Sequence, residues 1–314
     1  MKFTTSQEQR EFAASLHELL SGADTPSVAR AWAQGRHDPG LKVLRSLAEV
    51  GVQALLVDEA HGGLGADLAD MVVAFEALGY HAVPGPLVET AVVAPAVLSG
   101  DRLTAIAEGD LLVTAVAPPE VPLALDADVA GVVLDLTGSE ITDPRVEPVS
   151  SMDPARRLFR VAGTRRPLPV GSAAFDRGVL AVAAQLLGAG QWLLDASVAY
   201  AKQRSQYGRA IGEYQAIKHL LADVVTQLEL ARPLVHGAAV ADATFTRDVS
   251  AAKAKAADAA NLAARTALQV HGAIGYTAEH DLGLRLTKVR ALSGAWGDGA
   301  FHRERVLAAL AGAR

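Results

Sequence analysis

The sequence contains no cysteine among its 314 residues. This absence excludes disulfides, thiolate metal sites and cysteine nucleophiles, and it fits a reducing compartment. Aromatic residues make up only 5% of the chain, whereas alanine is abundant, which favours closely packed helices over a β-sandwich. The 29 lysines and arginines are outnumbered by 35 acidic residues, and they form no basic block, so we expect no nucleic-acid partner.

The sequence also lacks an obvious targeting or membrane segment. Its first residues have no apolar stretch of the kind that a secretory signal needs. The longest uncharged apolar run covers residues 178–194, falls short of about 20 residues and contains both glutamine and glycine. Such a run is more typical of a buried bundle helix than of a membrane span. The sequence therefore predicts a cytoplasmic protein without a membrane partner.

Three regions of different pattern follow one another along the chain. Residues 1–100 have apolar positions at helical spacing, including an expected helix over 88–98, and predict a helical domain. Residues 101–172 contain short valine-rich runs punctuated by proline and glycine, which predict a small β region. In residues 173–314, long amphipathic helices with short connections predict a four-helix bundle, with one helix kinked or ended at Pro233. The expected fold class is mainly α with a small β region.

General chemical motifs are scarce. The sequence Gly62-Gly63-Leu64-Gly65 lacks the strand–turn–helix context of a dinucleotide fingerprint and favours a tight loop. No two histidines stand four residues apart, so a helical zinc site is unsupported, and no metal is expected. The sequence also contains no Gly-x-Ser-x-Gly nucleophile motif.

Two longer segments are more specific. The first is RSQYGRAIGEYQAIKHLLAD over residues 204–223, and the second is QVHGAIGYT over residues 269–277. At these residues the chain resembles the acyl-CoA dehydrogenase family, and the loop with Glu59 and Gly62-Gly63 and the sequence around Glu76 resemble that family's N-terminal domain. The resemblance implies an N-terminal helical domain (1–100), a truncated middle β-domain (101–172) and a C-terminal four-helix bundle (173–314).

The resemblance also implies that FAD is the cofactor. It assigns cofactor binding to nine residues: Arg204, Gln206, Tyr207, Ile211, Tyr214, Gln269, Val270, Gly272 and Ala273. A guanidinium at Arg204, expected just before a helix start, suits a pyrophosphate through paired charge-assisted hydrogen bonds. Gly272 and Ala273 keep the second segment small enough for close backbone approach. In the family these two motifs reach across a dimer interface, so the resemblance implies a site shared between subunits.

The sequence departs from the family in two places. The middle region is about half the usual length and lacks the stretches that cover the flavin ring and the CoA ester. The two positions at which the family carries its catalytic glutamate fall on Trp296 and near Gly178, and neither is acidic. Asp298 is the nearest carboxylate. It is either a base after a shift of the loop or, as a turn residue in WGDG, a helix cap.

These departures resemble the short, degenerate subunits of heteromeric acyl-CoA dehydrogenases of actinobacterial steroid catabolism. The leading hypothesis is a subunit that joins a longer acyl-CoA dehydrogenase homologue in an α2β2 heterotetramer. Together they would carry out α,β-dehydrogenation of a CoA thioester with a bulky acyl group, for example a steroid-derived one. Two alternatives remain open: a scaffold subunit that has lost FAD, and a self-sufficient homo-oligomeric flavoenzyme with Asp298 as base.

Overall fold

The computed structural model describes residues 5–277 and 280–312. Its N-terminal part contains the helices α1 (Gln7–Gly22), α2 (Thr25–Ala33), α3 (Asp38–Glu49) and α4 (Leu68–Tyr80). Capping boxes fix two of the helix starts, at Ser6 with Gln9 and at Asp67 with Asp70, where each side chain satisfies a free backbone N–H. The sequence patterns anticipated α1, α3 and α4, whereas α2 was not expected.

The expected helix over 88–98 is wrong as a single α-helix. The chain forms one π-helical turn at Glu89–Val93, then a 3-10 turn at Ala94–Ala96, before the short helix α5 (Asp101–Ala107). Pro95 stands inside this segment and has no backbone N–H to donate, which interrupts a regular α-helix. The irregular turn places Glu89 in the interior, where it is 2% exposed.

The middle of the chain folds into one five-stranded sheet with the order β1-β3-β4-β5-β2. The strands are β1 (Val113–Val116), β2 (Ala124–Leu125), β3 (Val132–Asp135), β4 (Ser139–Val149) and β5 (Leu158–Pro167). β1 pairs with β3 in parallel, and the other pairs are antiparallel. The apolar runs at residues 111–117, 129–136 and 158–161 correspond to β1, β3 and β5. β4 is mostly polar and exposed, so it carries no apolar signal.

The C-terminal helices are α6 (Ala173–Gln203), α7 (Gln215–Ala239), α8 (Phe245–His271), α9 (Leu282–Gly294) and α10 (Gly299–Gly312). A two-stranded hairpin, β6 (Ser205–Gln206) and β7 (Arg209–Ala210), connects α6 to α7. Of the kink or end expected at Pro233, the end is wrong, because α7 continues to Ala239. The buried residues Leu228, Ala231 and Val235 hold it against the bundle on both sides of the proline.

Helix α6 forms the centre of the core, because it packs against α4, α7, α8 and α9. Small residues allow this close packing: a Cβ on Gly190 would lie 2.8 Å from the Leu228 side chain and 3.4 Å from the Cα of Ala260. By length and hydropathy α6 is the one candidate membrane span in the described residues, yet 78% of its most apolar window is buried inside the protein. Its apolar character is therefore accounted for by core packing.

Candidate functional site

A cleft of about 750 Å³ opens where the connection between α6 and α7 meets the end of α8. We call it the hairpin cleft. All nine residues that the resemblance assigns to cofactor binding line it: Arg204, Gln206, Tyr207, Ile211, Tyr214, Gln269, Val270, Gly272 and Ala273. The two sequence segments, which lie about sixty positions apart in the chain, thus form opposite parts of one concave surface.

The β6–β7 hairpin forms one wall of the hairpin cleft. Tyr207 and Gly208 occupy its two-residue turn with φ values of 51° and 80°, as the tight turn of a hairpin requires. This turn leaves the Tyr207 ring 92% exposed, which is unusual for a large aromatic residue. Tyr214 supports the hairpin through two contacts: its hydroxyl donates to the Gln206 carbonyl at 3.1 Å, and the Arg209 guanidinium stacks 4.0 Å from its ring.

Arg204 lies at the C-terminal end of α6, and its backbone N–H donates to the Tyr200 carbonyl at 2.9 Å. The expectation that Arg204 directly precedes a helix start is wrong, because the hairpin and a 3-10 turn separate it from Gln215. The hairpin folds back, however, so that Ala216 and Ile217 in the first turn of α7 line the same cleft. The exposed Arg204 side chain and a helix N-terminus therefore face one ligand volume.

The end of α8 forms the opposite wall. The helix finishes at His271, and Gly272 follows with a φ of 61° and no atom within 4 Å of where its Cβ would be. A ligand can therefore approach this backbone closely. The His271 ring stacks on Tyr200, with centroids 4.5 Å apart, and its Nδ1 lies 2.8 Å from the Ala267 carbonyl. Burial lowers the pKa of His271, so a neutral, structural imidazole fits this position.

Tyr200, which lies outside both sequence segments, also lines the cleft. Its position four residues before Arg204 on α6 is a usable signal, because side chains four positions apart share a helix face. Together the wall residues offer a guanidinium, phenol rings, amide groups and open backbone. Such a set can bind an anionic ligand that carries flat rings.

A second region of interest surrounds Trp296, and we call it the Trp296 junction. Trp296 is 2% exposed, and its ring lies directly over Gly178 of α6. A Cβ on Gly178 would come within 2.6 Å of that ring. The two positions at which the resemblance would place a catalytic glutamate thus pack against each other, as an indole on a glycine. Neither position offers a carboxylate.

Buried polar groups hold the backbone of the Trp296 junction. Trp296 has a φ of 59°, in the left-handed region that a bulky residue rarely adopts. The buried Lys253 donates through Nζ to the Ser293 and Gly297 carbonyls at 3.1 and 3.2 Å. The Nε2 of His302 donates to the Trp296 carbonyl at 2.9 Å, and burial lowers the pKa of His302 to about 4. These bonds fix the conformation of the loop.

Asp298 follows this loop and lies on the protein surface. Its Oδ1 accepts hydrogen bonds from the backbone N–H groups of Ala300 and Phe301, both at 2.9 Å, at the start of α10. Those bonds lower the pKa of Asp298. A general base for carbon acids needs a raised pKa in a dry site, which is the opposite arrangement. The geometry therefore favours the capping alternative for Asp298.

Comparison with known proteins places these observations in a family. The family model described as "Acyl-CoA dehydrogenase, C-terminal domain" matches residues 168–311, and "Acyl-CoA dehydrogenase, N-terminal domain" matches residues 6–100. A relative, acyl-CoA dehydrogenase IpdE2 of Mycobacterium tuberculosis, is 33% identical over 88% of this chain and 88% of its own length.

Two solved structures show the same fold at low sequence identity. A steroid ACAD, Tcur3481–Tcur3483, is 20% identical, covers 98% of both chains and has a TM-score of 0.86. A glutaryl-CoA dehydrogenase of Mycobacterium smegmatis in complex with FADH2 is 16% identical and has a TM-score of 0.83. The match covers 98% of this chain and 95% of the glutaryl-CoA dehydrogenase chain.

Proposed function

Because the chain belongs to the acyl-CoA dehydrogenase family, we propose that it is a subunit of an FAD-dependent acyl-CoA dehydrogenase whose hairpin cleft supplies one side of an intersubunit FAD site. The observation that carries the proposal is the convergence of nine assigned residues on one open cleft. The enzyme would catalyse α,β-dehydrogenation of a CoA thioester, for which bound FAD supplies the hydride acceptor.

The residues of the hairpin cleft suit the different parts of FAD. Arg204 can bind the pyrophosphate through paired hydrogen bonds, and the first turn of α7 adds a favourable dipole. Tyr207 offers a flat, exposed ring for stacking, and Gln269 can both donate and accept hydrogen bonds at a base or ribose. FADH2 is present in the glutaryl-CoA dehydrogenase whose fold this chain shares, which supports the choice of cofactor.

The Trp296 junction supports dependence on a partner. With an indole packed on Gly178, the chain offers no carboxylate at either position expected for the base. We therefore propose that a longer acyl-CoA dehydrogenase homologue supplies the base and covers the flavin ring, in a cytoplasmic α2β2 heterotetramer. The steroid ACAD Tcur3481–Tcur3483, which has this fold and a two-part name, supports both a second subunit and a bulky, steroid-derived acyl group as the substrate class.

The decisive experiment removes the cation of the hairpin cleft. The chain is co-expressed with a longer acyl-CoA dehydrogenase homologue, and FAD per complex is measured from flavin absorbance. We expect Arg204→Ala to lose most of its FAD, because a charge-assisted hydrogen bond contributes about 1.5–3 kcal/mol. Arg160→Ala is the matched control, because this exposed arginine on β5 does not line the cleft.

The outcomes separate this proposal from its alternatives. Full FAD occupancy in the Arg204→Ala complex would contradict the cofactor role and favour a scaffold subunit. A yellow and active preparation of this chain alone would contradict the need for a partner and favour a homo-oligomeric enzyme. The native mass of the co-purified complex tests the proposed stoichiometry directly.

A further inference from the structure

A cavity of about 640 Å³ lies between α1 and the helices α4, α6 and α7. We call it the α1 cavity, and it shares no lining residue with the hairpin cleft. Arg10, Ser21 and Asp195 line it and are exposed, so water enters the cavity. His17 of α1 and His81, which caps the C-terminal end of α4, also line it. Solvent protons can therefore reach the place where these two helices meet.

The two histidine rings are joined by one hydrogen bond. The Nδ1 of His17 lies 2.9 Å from the Nε2 of His81. One of these nitrogens carries a proton and donates, and the other must accept through a free lone pair. The ring of Tyr80 meets the His17 ring edge-on, with centroids 5.1 Å apart, and helps to hold it in place. The bond between the rings exists only while at least one of them is neutral.

The other contacts of α1 differ in kind. Leu16 and Leu20 pack into the hydrophobic core, and near the start of the helix Gln9 donates to the Asp70 carboxylate at 2.9 Å. Apolar contacts of this type do not depend on protonation, whereas histidine is the side chain that ordinarily changes its charge between pH 5 and pH 8. The bond between the two histidines is therefore the contact of α1 that a modest change of pH can remove.

Charges of both signs surround the histidine pair. Burial lowers the pKa of His17, against the effect of the Glu76 charge, and lowers that of His81 to about 4, with a further contribution from Arg285. Glu76 itself pairs with Arg232. The titratable and charged groups around the pair are Arg10 of α1, Glu76 and Tyr80 of α4, Asp195 of α6, Arg232 and His236 of α7, and Arg285 of α9.

We propose that the His17–His81 pair is a pH-dependent contact that releases α1 from α4 when both rings are protonated. Two imidazolium rings carry a proton on every nitrogen, so neither can accept a hydrogen bond, and their like charges repel each other. Release of α1 exposes Leu16 and Leu20, which are 0% and 1% exposed in the closed arrangement. The N-terminal helical domain thus loosens on acidification. This device is independent of FAD binding in the hairpin cleft.

The direction of the pH dependence follows from the lowered pKa values. In the released state the rings regain the ordinary histidine pKa of about 6.5, so this state binds more protons than the closed one. The closed state is favoured most above that pH, and it loses stability as the pH falls towards the pKa of about 4 at His81. Between pH 7 and pH 5 we expect the released fraction to rise by about tenfold or more.

The test measures hydrogen–deuterium exchange of the α1 amides in the full chain at pH 7 and pH 5, with rates corrected for the intrinsic pH dependence of amide exchange. We expect exchange in α1 to rise by about tenfold or more at pH 5, and exchange in the central helix α6 to stay constant. His81→Gln keeps a hydrogen-bonding side chain but cannot titrate, so the response of α1 should disappear. His219→Gln, at an exposed histidine outside the α1 cavity, is the matched control and should retain the response.

A second variant keeps the test decisive. His17→Gln should also abolish the response, and it covers the case in which His81→Gln fails to fold, because His17 is only partly buried whereas His81 is 7% exposed. Equal exchange of α1 at the two pH values, or a full response in a folded His17→Gln or His81→Gln variant, would overturn the proposal. An equal rise in α1 and α6 would show global unfolding instead of release of α1, and would overturn it as well.

Discussion

The hairpin cleft and the Trp296 junction differ in whether side chains fill the available space. The cleft is open, carries the Arg204 guanidinium among mostly apolar walls, and keeps an aromatic ring in solvent at Tyr207. The junction is dry, and an indole fills the volume above Gly178. The comparison teaches that the chain leaves one concave surface open and fills the space above Gly178 with its own side chain. Mutations in the packed junction should therefore change the free energy of unfolding, whereas mutations in the open cleft should change ligand binding.

The largest expected effect on stability is that of Trp296→Ala. Removing a buried tryptophan leaves a large cavity, and we expect a loss of about 3–5 kcal/mol in the free energy of unfolding. Urea unfolding measures it, with Trp192→Ala as control, because Trp192 is only partly buried. A loss below that of Trp192→Ala would show that the junction is not a packed region.

Gly178→Ala tests the same contact from the other side. Its new Cβ would lie 2.6 Å from the indole, so either the ring or α6 must shift. Overpacking of this kind costs about 1–3 kcal/mol. Gly283→Ala in α9 is the control, because no atom lies within 4 Å of its Cβ position, and we expect it to be neutral or stabilising by up to about 1 kcal/mol. Equal unfolding curves for the two variants would contradict the tight packing.

These two regions also show what the sequence could predict. The nine assigned residues of the hairpin cleft belong to two contiguous segments next to helix ends, so the resemblance of local motifs was sufficient to predict that they lie together, whereas Tyr200 lies outside both segments. The contact between Trp296 and Gly178 joins distant positions, and nothing local signals it. Strand β4 escaped prediction because its exposed, polar sequence lacks an apolar pattern, and α7 continued past Pro233 because tertiary packing outweighed the local effect of proline.

Asp298→Ala should have a smaller effect. Loss of a helix cap costs about 0.5–2 kcal/mol, and turnover of the complex with its partner should be unchanged. Asp258→Ala is a matched control for an exposed carboxylate, which pairs with Arg303 at the surface. If Asp298→Ala abolished turnover while FAD stayed bound, Asp298 would be the base, and the capping interpretation would be insufficient.

The smallest effect on stability is expected for Tyr207→Ser. The ring is exposed, so the free energy of unfolding should change by no more than about 0.5 kcal/mol. FAD binding by the complex should nevertheless weaken severalfold, since a stacking partner is lost. Tyr276→Ser removes another exposed ring that does not line the cleft, and FAD titration should show no change for it. Equal FAD affinity for both variants would exclude stacking at Tyr207.

Helix α6 has one more consequence, which concerns distance. Gly178 and Arg204 are 26 positions apart along it, and at 1.5 Å per residue this corresponds to about 39 Å. The helix therefore fixes the distance between the Trp296 junction and the hairpin cleft. Each inserted or deleted residue would rotate one end by about 100° relative to the other. A rigid helix of this length lets side chains change at the Trp296 junction while the hairpin cleft at the other end keeps its position.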